Sequence, residues 1–501
     1  MNTSGVTGHP GPKSSGFRSS VAPCARGSTR GCCSPRFCGV ATGAGPPAEP
    51  RLVAPGLGPI PRVSLEPRQH GHVLRVAFAH YCQANDISGV TIWVLGLARR
   101  LASDGVSVAI HFVIAPSSPS LEQCGEPPLF KELRQQGIEV FSAPRRRCLK
   151  EDVQETLAFL NQWQPTVFLP QCKPAHYAAA AQAGLRGLPW ALTLHSDDPD
   201  YWATVEAFGG ASYGSSLVCV SRHIHDELNR RRIERPASVI PYGVSVPLTP
   251  TEFRNDPFQV VFSGRIWEHQ KRASLVIQTL IRACGARDTI RATLIGDGYA
   301  REACERQVAE AGLTEAITFT GPLPPSQVQA RLLEAQAILL MSDFEGLPIA
   351  LLEAMATGVV PVVRPIPSGI PELVDHERTG LLVSEDPAEA ALALLRLADD
   401  PGLWQRCSTA ARDLVAGHYS ADESYRQWRQ LLEGLGRQFS DAPSNPYPID
   451  SLRIDSLRRI APSFHQEYKP PKARIATLRQ TLRTTIARVK HRIKATLGRP
   501  A

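Results

Sequence analysis

Short apolar runs alternate with longer stretches of helical periodicity from residue 73 onward. The runs are almost continuously apolar, which is typical of strands covered by helices on both faces of a parallel sheet. The first series of these runs predicts strands at Val73–Ala79, Val106–Val113, Thr166–Leu169, Trp190–His195, Leu217–Ser221 and Ser238–Pro241.

A second series follows Tyr242–Pro257, which contains three prolines and is predicted to be a linker. The repetition predicts an α/β protein with two Rossmann-like, doubly wound domains facing a central cleft, over residues 71–245 and 246–440. Ligands of such sheets bind beyond the carboxyl ends of the strands. The second series predicts strands at Gln259–Ser263, Ile290–Ile295, Ile317–Thr320, Ala337–Met341 and Val359–Val363.

Charge is unevenly distributed along the chain. Residues 1–70 carry 8 Lys/Arg and 2 Asp/Glu, residues 441–501 carry 13 and 4, and residues 71–440 carry 34 and 41. The acidic body argues against a nucleic-acid partner. The leader, residues 1–70, is rich in Gly, Pro, Ser and Arg and is predicted to be disordered. Two explanations of this leader remain open, namely a transit peptide and a translation start assigned too far upstream.

The cysteines and the hydropathy indicate the compartment. None of the 12 cysteines forms a C-x-x-C pair, and no apolar run approaches the length of a membrane-spanning helix. We therefore expect reduced thiols in a cytoplasmic protein.

The most informative stretch runs from Asp343 to Gly358, after a predicted buried strand. A helix is predicted to begin at Pro348 and to stop at Gly358. Glu353 is the single charge on this apolar helix, so its carboxylate either faces solvent or has a partner from elsewhere. Glu345 lies in the preceding turn, close to the free amides of the first helical turn, where an anion can bind.

The context FEGLPIALLEAMATG, with Glu345 and Glu353 eight positions apart, resembles the donor-binding motif of the retaining glycosyltransferases of family 4, which have the GT-B fold. The resemblance covers about residues 73–436. It implies that Glu353 binds the ribose hydroxyls of a nucleoside-diphosphate-sugar and that Glu345 binds the sugar. The amides of Ile349 and Ala350 are implied to contact the diphosphate.

Two cations follow the first strand of the second series, in Gly264-Arg265-Ile266-Trp267-Glu268-His269-Gln270-Lys271. This arrangement resembles the R-x5-K pair of the same family, which binds the donor pyrophosphate. Arg265 supplies a planar fork for phosphate oxygens and Lys271 a point charge, and both stabilise negative charge on a leaving group.

Further positions match the family at strand ends. Gly296, in Leu294-Ile295-Gly296-Asp297-Gly298, is implied to lie against the nucleotide, and Leu323 is implied to contact the base through its backbone. Gly89 corresponds to the loop that closes on the donor phosphate, although Ser88 stands where a second glycine is common. His195 matches the histidine that lies near the donor sugar.

Three motifs depart from the family or compete with it. Ser368 replaces the first glycine of a G-G-x-x-E loop, and Tyr242 replaces the asparagine of an interdomain P-N-G-V. The sequence Asp198-Pro199-Asp200 spells the D-x-D metal motif of another glycosyltransferase fold, but Pro199 is better explained as a helix start capped by Asp198. We therefore expect no metal and no cofactor, with the nucleotide-sugar acting as a co-substrate.

The basic tail contains an amphipathic pattern over residues 473–498. One apolar stripe bordered by cations is typical of a helix on an anionic membrane surface, here the inner face of the membrane. A helix docked on its own protein or on a partner is the alternative. The stripe consists of Ile475, Leu478, Leu482, Ile486, Val489, Ile493 and Leu497.

Together these features predict a retaining glycosyltransferase that moves a sugar from a nucleoside diphosphate to a hydroxyl of a glycan or lipid-linked acceptor. Two other functions compete with it. One is a catalytically silent nucleotide-sugar binder, and the other is a nucleotide-sugar epimerase of the same architecture. Donor base, sugar and acceptor are left open by the sequence.

Overall fold

The computed structural model describes residues 73–82, 88–114, 127–146, 148–208 and 215–438. The predicted leader, the amphipathic pattern at 473–498 and the positions Asn85, Asp86 and Ile87 lie outside the described residues. Among the residues that are described, no helix is both long and apolar enough to span a membrane.

The first half of the chain builds a seven-stranded parallel sheet. Its strands are β1 (Arg75–Cys82), β2 (Ser107–Ile114), β3 (Ile138–Pro144), β4 (Val167–Pro170), β5 (Trp190–Leu194), β6 (Ser215–Cys219) and β7 (Ala237–Val239). The spatial order β3-β2-β1-β4-β5-β6-β7 changes direction between β1 and β4, as in a doubly wound sheet.

The second half repeats this plan with six strands. They are β8 (Phe258–Ser263), β9 (Ile290–Ile295), β10 (Ile317–Gly321), β11 (Ala337–Leu340), β12 (Val360–Val363) and β13 (Leu381–Leu382). The order β10-β9-β8-β11-β12-β13 places the change of direction between β8 and β11. All strand pairs of both sheets are parallel.

Helices connect successive strands in both halves, because a parallel connection has to cross a face of the sheet. Those of the first half are α1 (Gly89–Ser103), α2 (Pro128–Gln135), α3 (Leu149–Trp163), α4 (Pro174–Gly184), α5 (Pro199–Phe208) and α6 (Arg222–Arg230). Those that follow are α7 (Glu268–Lys271), α8 (Ala273–Ala286), α9 (Arg301–Glu310), α10 (Pro325–Glu334), α11 (Ile349–Ala356), α12 (Ile370–Leu373), α13 (Pro387–Asp399), α14 (Pro401–His418) and α15 (Ala421–Gln438).

The predicted strands are confirmed apart from shifts at their ends, but two strands were missed. β3 is an edge strand in which exposed and buried positions are mixed, so it lacks a continuous apolar run. β13 has only two residues. Helix α11 begins one residue later than predicted, with Pro348 as the residue before its first turn, and Gly358 follows it at φ +86°.

The segment predicted as a linker is partly built into the fold. Tyr242 and Val244 are buried, and the Val244 N–H donates to the Tyr419 carbonyl. The last helix, α15, packs back on the first half. The Trp428 and Trp93 rings lie 5.2 Å apart, and the Tyr425 hydroxyl is 2.5 Å from Asp104 Oδ2.

Candidate active site

A cavity of about 470 Å³ lies beyond the carboxyl ends of the strands, with walls from both halves. It is centred on the two positions where the strand order changes direction, the expected ligand site of doubly wound sheets. All ten side chains or backbone positions selected from the sequence line it: Gly89, His195, Arg265, Lys271, Gly296, Leu323, Glu345, Ile349, Ala350 and Glu353.

The amino termini of two helices meet in this cavity. Helix α1 starts at Gly89, and a Cβ built on Gly89 would lie 3.0 Å from Ile349 Cδ1 at the start of α11. Ser88 caps α1 by accepting a hydrogen bond from the Thr91 N–H at 3.2 Å. The Ile349 and Ala350 amides precede the first helical hydrogen bonds of α11, so they are available to an anion.

Lys271 and Glu345 form an ion pair in the floor of the cavity. The Lys271 Nζ lies 2.6 Å from Glu345 Oε1, and the two side chains are only 10% and 8% exposed. Two charges can be buried this deeply because each neutralises the other. The pair also sets the distance between a cation suited to phosphate and a carboxylate suited to sugar hydroxyls.

Arg265 remains the exposed cation of the cavity wall. Its Nη2 donates to Gln270 Oε1 at 2.7 Å, and its guanidinium lies 4.4 Å from the centroid of the Trp267 ring. Gln270 in turn donates from Nε2 to the Phe344 carbonyl at 3.2 Å. The arginine is therefore held in place by its neighbours while its remaining N–H groups are free to bind a ligand.

Glu353 is largely buried in α11, yet no hydrogen bond to its carboxyl is found within the described part of the chain. Burial raises the pKa of this carboxyl to about 7. No protein group within the described residues serves as its partner, so the partner expected from outside the helix is left to a ligand. It lines the cavity, where the hydroxyls of a ligand can reach it.

His195 is buried at the end of β5 and is held at both ring nitrogens. Its Nδ1 lies 2.5 Å from the Tyr242 hydroxyl and its Nε2 lies 2.6 Å from Gln171 Oε1. Burial, with a smaller contribution from His80, lowers the pKa of His195 to about 3. The ring is therefore neutral at physiological pH and contributes a polar surface, not a charge.

Two glycines of the site are required by backbone packing. A Cβ on Gly346 would lie 2.1 Å from the His195 carbonyl oxygen, where Ser196 and Gly346 form an isolated antiparallel bridge between the halves. A Cβ on Gly296, which has φ +130°, would lie 2.0 Å from the Gly264 carbonyl oxygen. Gly296 thus allows two loops to meet at the edge of the cavity.

The loop that resembles G-G-x-x-E holds the halves together. The Gly369 N–H donates to the Gly346 carbonyl at 2.6 Å, and Glu372 Oε1 accepts from the His223 N–H at 3.0 Å. Ser368, the replacement for glycine, is buried and its Oγ accepts from the Ile370 N–H at 3.1 Å. These bonds fix the loop in position beside the turn that carries Glu345.

Sequence reasoning missed several residues that shape the site. Gln171 and Gln270 were not selected, because glutamines after strands carry no distinctive spacing. Tyr242 was seen only as a replacement in an interdomain motif, and Gly346 only as part of the glutamate motif. The short run of β4 followed by Gln171 was the one available signal for a polar residue at that strand end.

The site combines features suited to one type of ligand. Two helix amino termini and Arg265 favour a diphosphate, and the Lys271–Glu345 pair presents a cation beside a carboxylate. Glu353 has an unpaired carboxyl within reach of hydroxyls. A molecule with a diphosphate between two hydroxyl-bearing groups satisfies all of these positions.

Comparison with known proteins agrees with this geometry. The family described as "Glycosyltransferase Family 4" matches residues 87–246, and the family described as "Glycosyl transferases group 1" matches residues 257–400. The two matches follow the two sheets. Each therefore corresponds to one wall of the cavity.

Similar proteins include AmsK of Erwinia amylovora, an amylovoran biosynthesis glycosyltransferase. It is 37% identical over 150 residues, which are 28% of this chain and 37% of AmsK. The D-inositol 3-phosphate glycosyltransferase of Paenarthrobacter aurescens is 25% identical over 70% of this chain and 95% of its own. The chain spans between 37% and 48% of the length of AmsK and of three further relatives.

A solved structure with the same fold is that of Anabaena HepE in complex with UDP and glucose. It superposes with a TM-score of 0.58 over 72% of this chain and 99% of HepE, at 15% identity. The two parallel sheets and the cleft between them are thus those of the GT-B fold. The chain belongs to the group 1 glycosyltransferases of family 4, which have this fold.

Proposed function

We propose that this protein transfers a sugar from a nucleoside diphosphate to an acceptor hydroxyl with retention at the anomeric carbon. The observation that carries the proposal is the convergence of Arg265, Lys271, Glu345, Glu353 and the α11 amides on one cavity. These residues come from the loops and helices that follow β8 and β11 and are up to 88 positions apart in sequence. A packing role alone does not require an unpaired carboxyl and an exposed guanidinium in the same cleft.

The donor diphosphate is held by Arg265, Lys271 and the amides of Ile349 and Ala350 in this proposal. As the sugar–phosphate bond breaks, negative charge grows on the departing diphosphate, and these groups stabilise it. Such stabilisation needs no metal ion. Glu353 accepts hydrogen bonds from the ribose hydroxyls, and Gly296 and Leu323 border the nucleotide. The HepE complex with UDP makes uridine the first base to test.

Glu345 binds the donor sugar, and this role requires a change at the ion pair. A diphosphate oxygen that reaches Lys271 competes with Glu345 for the same ammonium. The freed carboxylate can then accept from the sugar hydroxyls. Donor binding is thus coupled to the opening of a buried ion pair, which favours ligands that satisfy both partners at once.

His195 and the acceptor side set the position of the sugar. A neutral imidazole held by Tyr242 and Gln171 presents a fixed polar surface, and Gly89 closes the cleft from α1. No second carboxylate is placed as a nucleophile in this proposal. We therefore favour a front-face reaction, in which the departing phosphate oxygen takes the proton of the acceptor hydroxyl as the new bond to the anomeric carbon forms on the same face.

Transfer and donor hydrolysis, assayed with uridine, guanosine and adenosine diphosphate sugars, test this function. A thermal-shift screen first identifies the base, because a bound ligand raises the melting temperature. Glu345→Ala and Lys271→Ala are expected to abolish turnover. Arg429→Ala, which breaks a partly exposed ion pair on α15 with Glu433, is the control and should retain turnover.

Two outcomes favour the competing functions. Donor binding without turnover in the wild-type protein indicates a nucleotide-sugar binder. An isomerised donor formed in the absence of any acceptor indicates an epimerase. Neither function accounts for Arg265, Lys271, Glu345 and Glu353 together as well as sugar transfer does, because binding and epimerisation do not require a departing diphosphate to be stabilised.

The rest of the chain extends the proposal. The domains divide at about residue 245, with the acceptor on the side of residues 71–245 and the donor on the side of residues 246–440. The acceptor is a glycan or a lipid-linked saccharide, and the protein acts in the cytoplasm at the inner face of the membrane. Residues 473–498 bind that anionic surface, so deleting residues 470–501 should release the protein from anionic vesicles, and unchanged vesicle binding would refute this role.

A further inference from the structure

A second cavity, of about 540 Å³, adjoins the first and shares Glu353 with it. Helices α1 and α15 and the segment from Tyr242 to Ser245 supply part of its wall, and α10 and α11 supply the rest. The roles proposed for the donor use little of this space beyond the carboxyl of Glu353 and the amide of Ile349.

Gly96, in the middle of α1, borders this second cavity without a packing reason to be glycine. It is exposed, and a Cβ built on it meets no atom within 4 Å. Glycine inside a helix is destabilising relative to alanine. By contrast, Gly89 at the start of the same helix has Ile349 at 3.0 Å. A side chain at position 96 would therefore extend into open space at the wall of the second cavity.

The polar side chains of the wall are largely satisfied by the protein. The Ser424 hydroxyl donates to the Pro241 carbonyl at 2.7 Å, and the Thr357 hydroxyl donates to the Ala354 carbonyl at 2.7 Å. Arg100 Nη1 lies 3.2 Å from Asp422 Oδ1. A ligand with many hydroxyls would leave several of them without partners here, so a saccharide fits this wall poorly.

The remaining surface is mostly apolar, and the one charged side chain of the wall that has no partner among the described residues is a buried carboxyl. Glu353, with no hydrogen-bond partner in the ranges that the structure describes, is the acceptor accessible from this side. A ligand therefore needs an apolar body and one hydrogen-bond donor. The apolar wall consists of Ile92, Trp93, Leu97, Val328, Leu332 and Trp428.

We propose that the second cavity binds a small, mostly apolar molecule whose single N–H or O–H group donates to Glu353. The site is distinct from the donor cavity in its chemistry, since Arg265 and Lys271 lie outside it and its own cation, Arg100, is paired with Asp422. Because both halves of the chain form its walls, an occupant contacts both of them at once.

N-phenyl-1-naphthylamine is a suitable probe, because it is neutral, has one N–H and fluoresces more strongly in apolar surroundings. Titration into the full chain should give saturable binding at one site. Gly96→Leu places a side chain in the cavity and should weaken the probe at least tenfold. Gly434→Leu, the same change at an open helical position on α15 outside the cavity, should leave binding unchanged.

A second variant keeps the test decisive if Gly96→Leu fails to fold. Ser326→Trp fills the cavity from α10, where Ser326 is exposed, and should also weaken the probe at least tenfold. Equal probe affinity in both filled variants and in the wild type overturns the proposal, as does the absence of saturable binding. If UDP displaces the probe and Gly96→Leu does not change the affinity for the probe, the probe binds in the donor cavity and the proposal is also overturned.

UDP binding is measured in the same variants to separate this proposal from the donor site. Gly96 lines only the second cavity, so Gly96→Leu should bind UDP as the wild type does. A wild type that binds the probe but none of UDP, GDP and ADP contradicts the proposed donor site and leaves the second site standing.

Discussion

Acid should destabilise the first half of this protein through buried histidines, and His111 offers the sharpest test. His111 is 3% exposed, and neither of its ring nitrogens has a hydrogen-bond partner in the described ranges. Its ring stacks on Phe159, with centroids 5.2 Å apart and planes at 14°. Replacing it in His111→Phe therefore removes a titratable group from an aromatic site without breaking a hydrogen bond.

The magnitude follows from the difference in pKa between the folded and the unfolded chain. Burial lowers the pKa of His111 from 6.5 to about 4. Below pH 6.5 the unfolded chain takes up a proton that the folded protein rejects until about pH 4, so stability falls as the pH falls through this window. For one histidine the loss between pH 7.5 and pH 5 is about 2 kcal/mol.

Urea unfolding at pH 7.5 and at pH 5 measures this loss. The free energy of unfolding of His111→Phe, relative to that of the wild type, should be about 2 kcal/mol higher at pH 5 than at pH 7.5. At an m-value of about 2 kcal/mol/M, this is about 1 M in the relative unfolding midpoint.

Phe112→Leu is the control for packing alone. Phe112 is the next residue of β2, is buried, and lies on the opposite face of the sheet. The substitution removes buried volume but no ionisable group, so its destabilisation should be the same at both pH values. If the stability difference for His111→Phe is likewise unchanged between pH 7.5 and pH 5, the histidine is not buried in its neutral form and the reasoning fails.

Three further predictions concern the cavity. Lys271→Met leaves the buried Glu345 carboxylate without its cation and should lower the free energy of unfolding in urea by about 3–5 kcal/mol. Adding Glu345→Gln should restore part of this free energy, and additive losses in a double-mutant cycle would contradict the pairing. Because the pKa of Glu353 is raised to about 7, its carboxyl ionises and becomes a stronger acceptor as the pH rises from 6 to 8. The affinity for UDP, measured by calorimetry, should therefore increase over this range more in the wild type than in Glu353→Gln. An equal change of affinity with pH in both proteins would count against a ribose contact. Gly346→Ala should lower the melting temperature and weaken UDP binding, because its Cβ would lie 2.1 Å from the His195 carbonyl oxygen; an unaltered protein would show that the halves do not meet there.

The sequence determined the architecture and the list of residues in the cavity. Strands buried on both faces produce continuous apolar runs, so the central strands of both sheets were recognisable, whereas the mixed edge strand β3 was not. The motif residues lie directly after strands, and the carboxyl ends of parallel strands share one edge of a sheet. That local rule was enough to place Arg265, Lys271, Glu345 and Glu353 near each other.

Only the tertiary structure decided how these groups interact. The contact between Lys271 and Glu345 joins positions 74 residues apart, and the orientation of the His195 ring depends on Tyr242 and Gln171 from other loops. The periodicity of apolar residues indicates that a position is buried, but it does not indicate which atoms surround that position. The pKa of Glu353 and the open space at Gly96 depend on those surrounding atoms, so they appear only when both halves of the chain are in place.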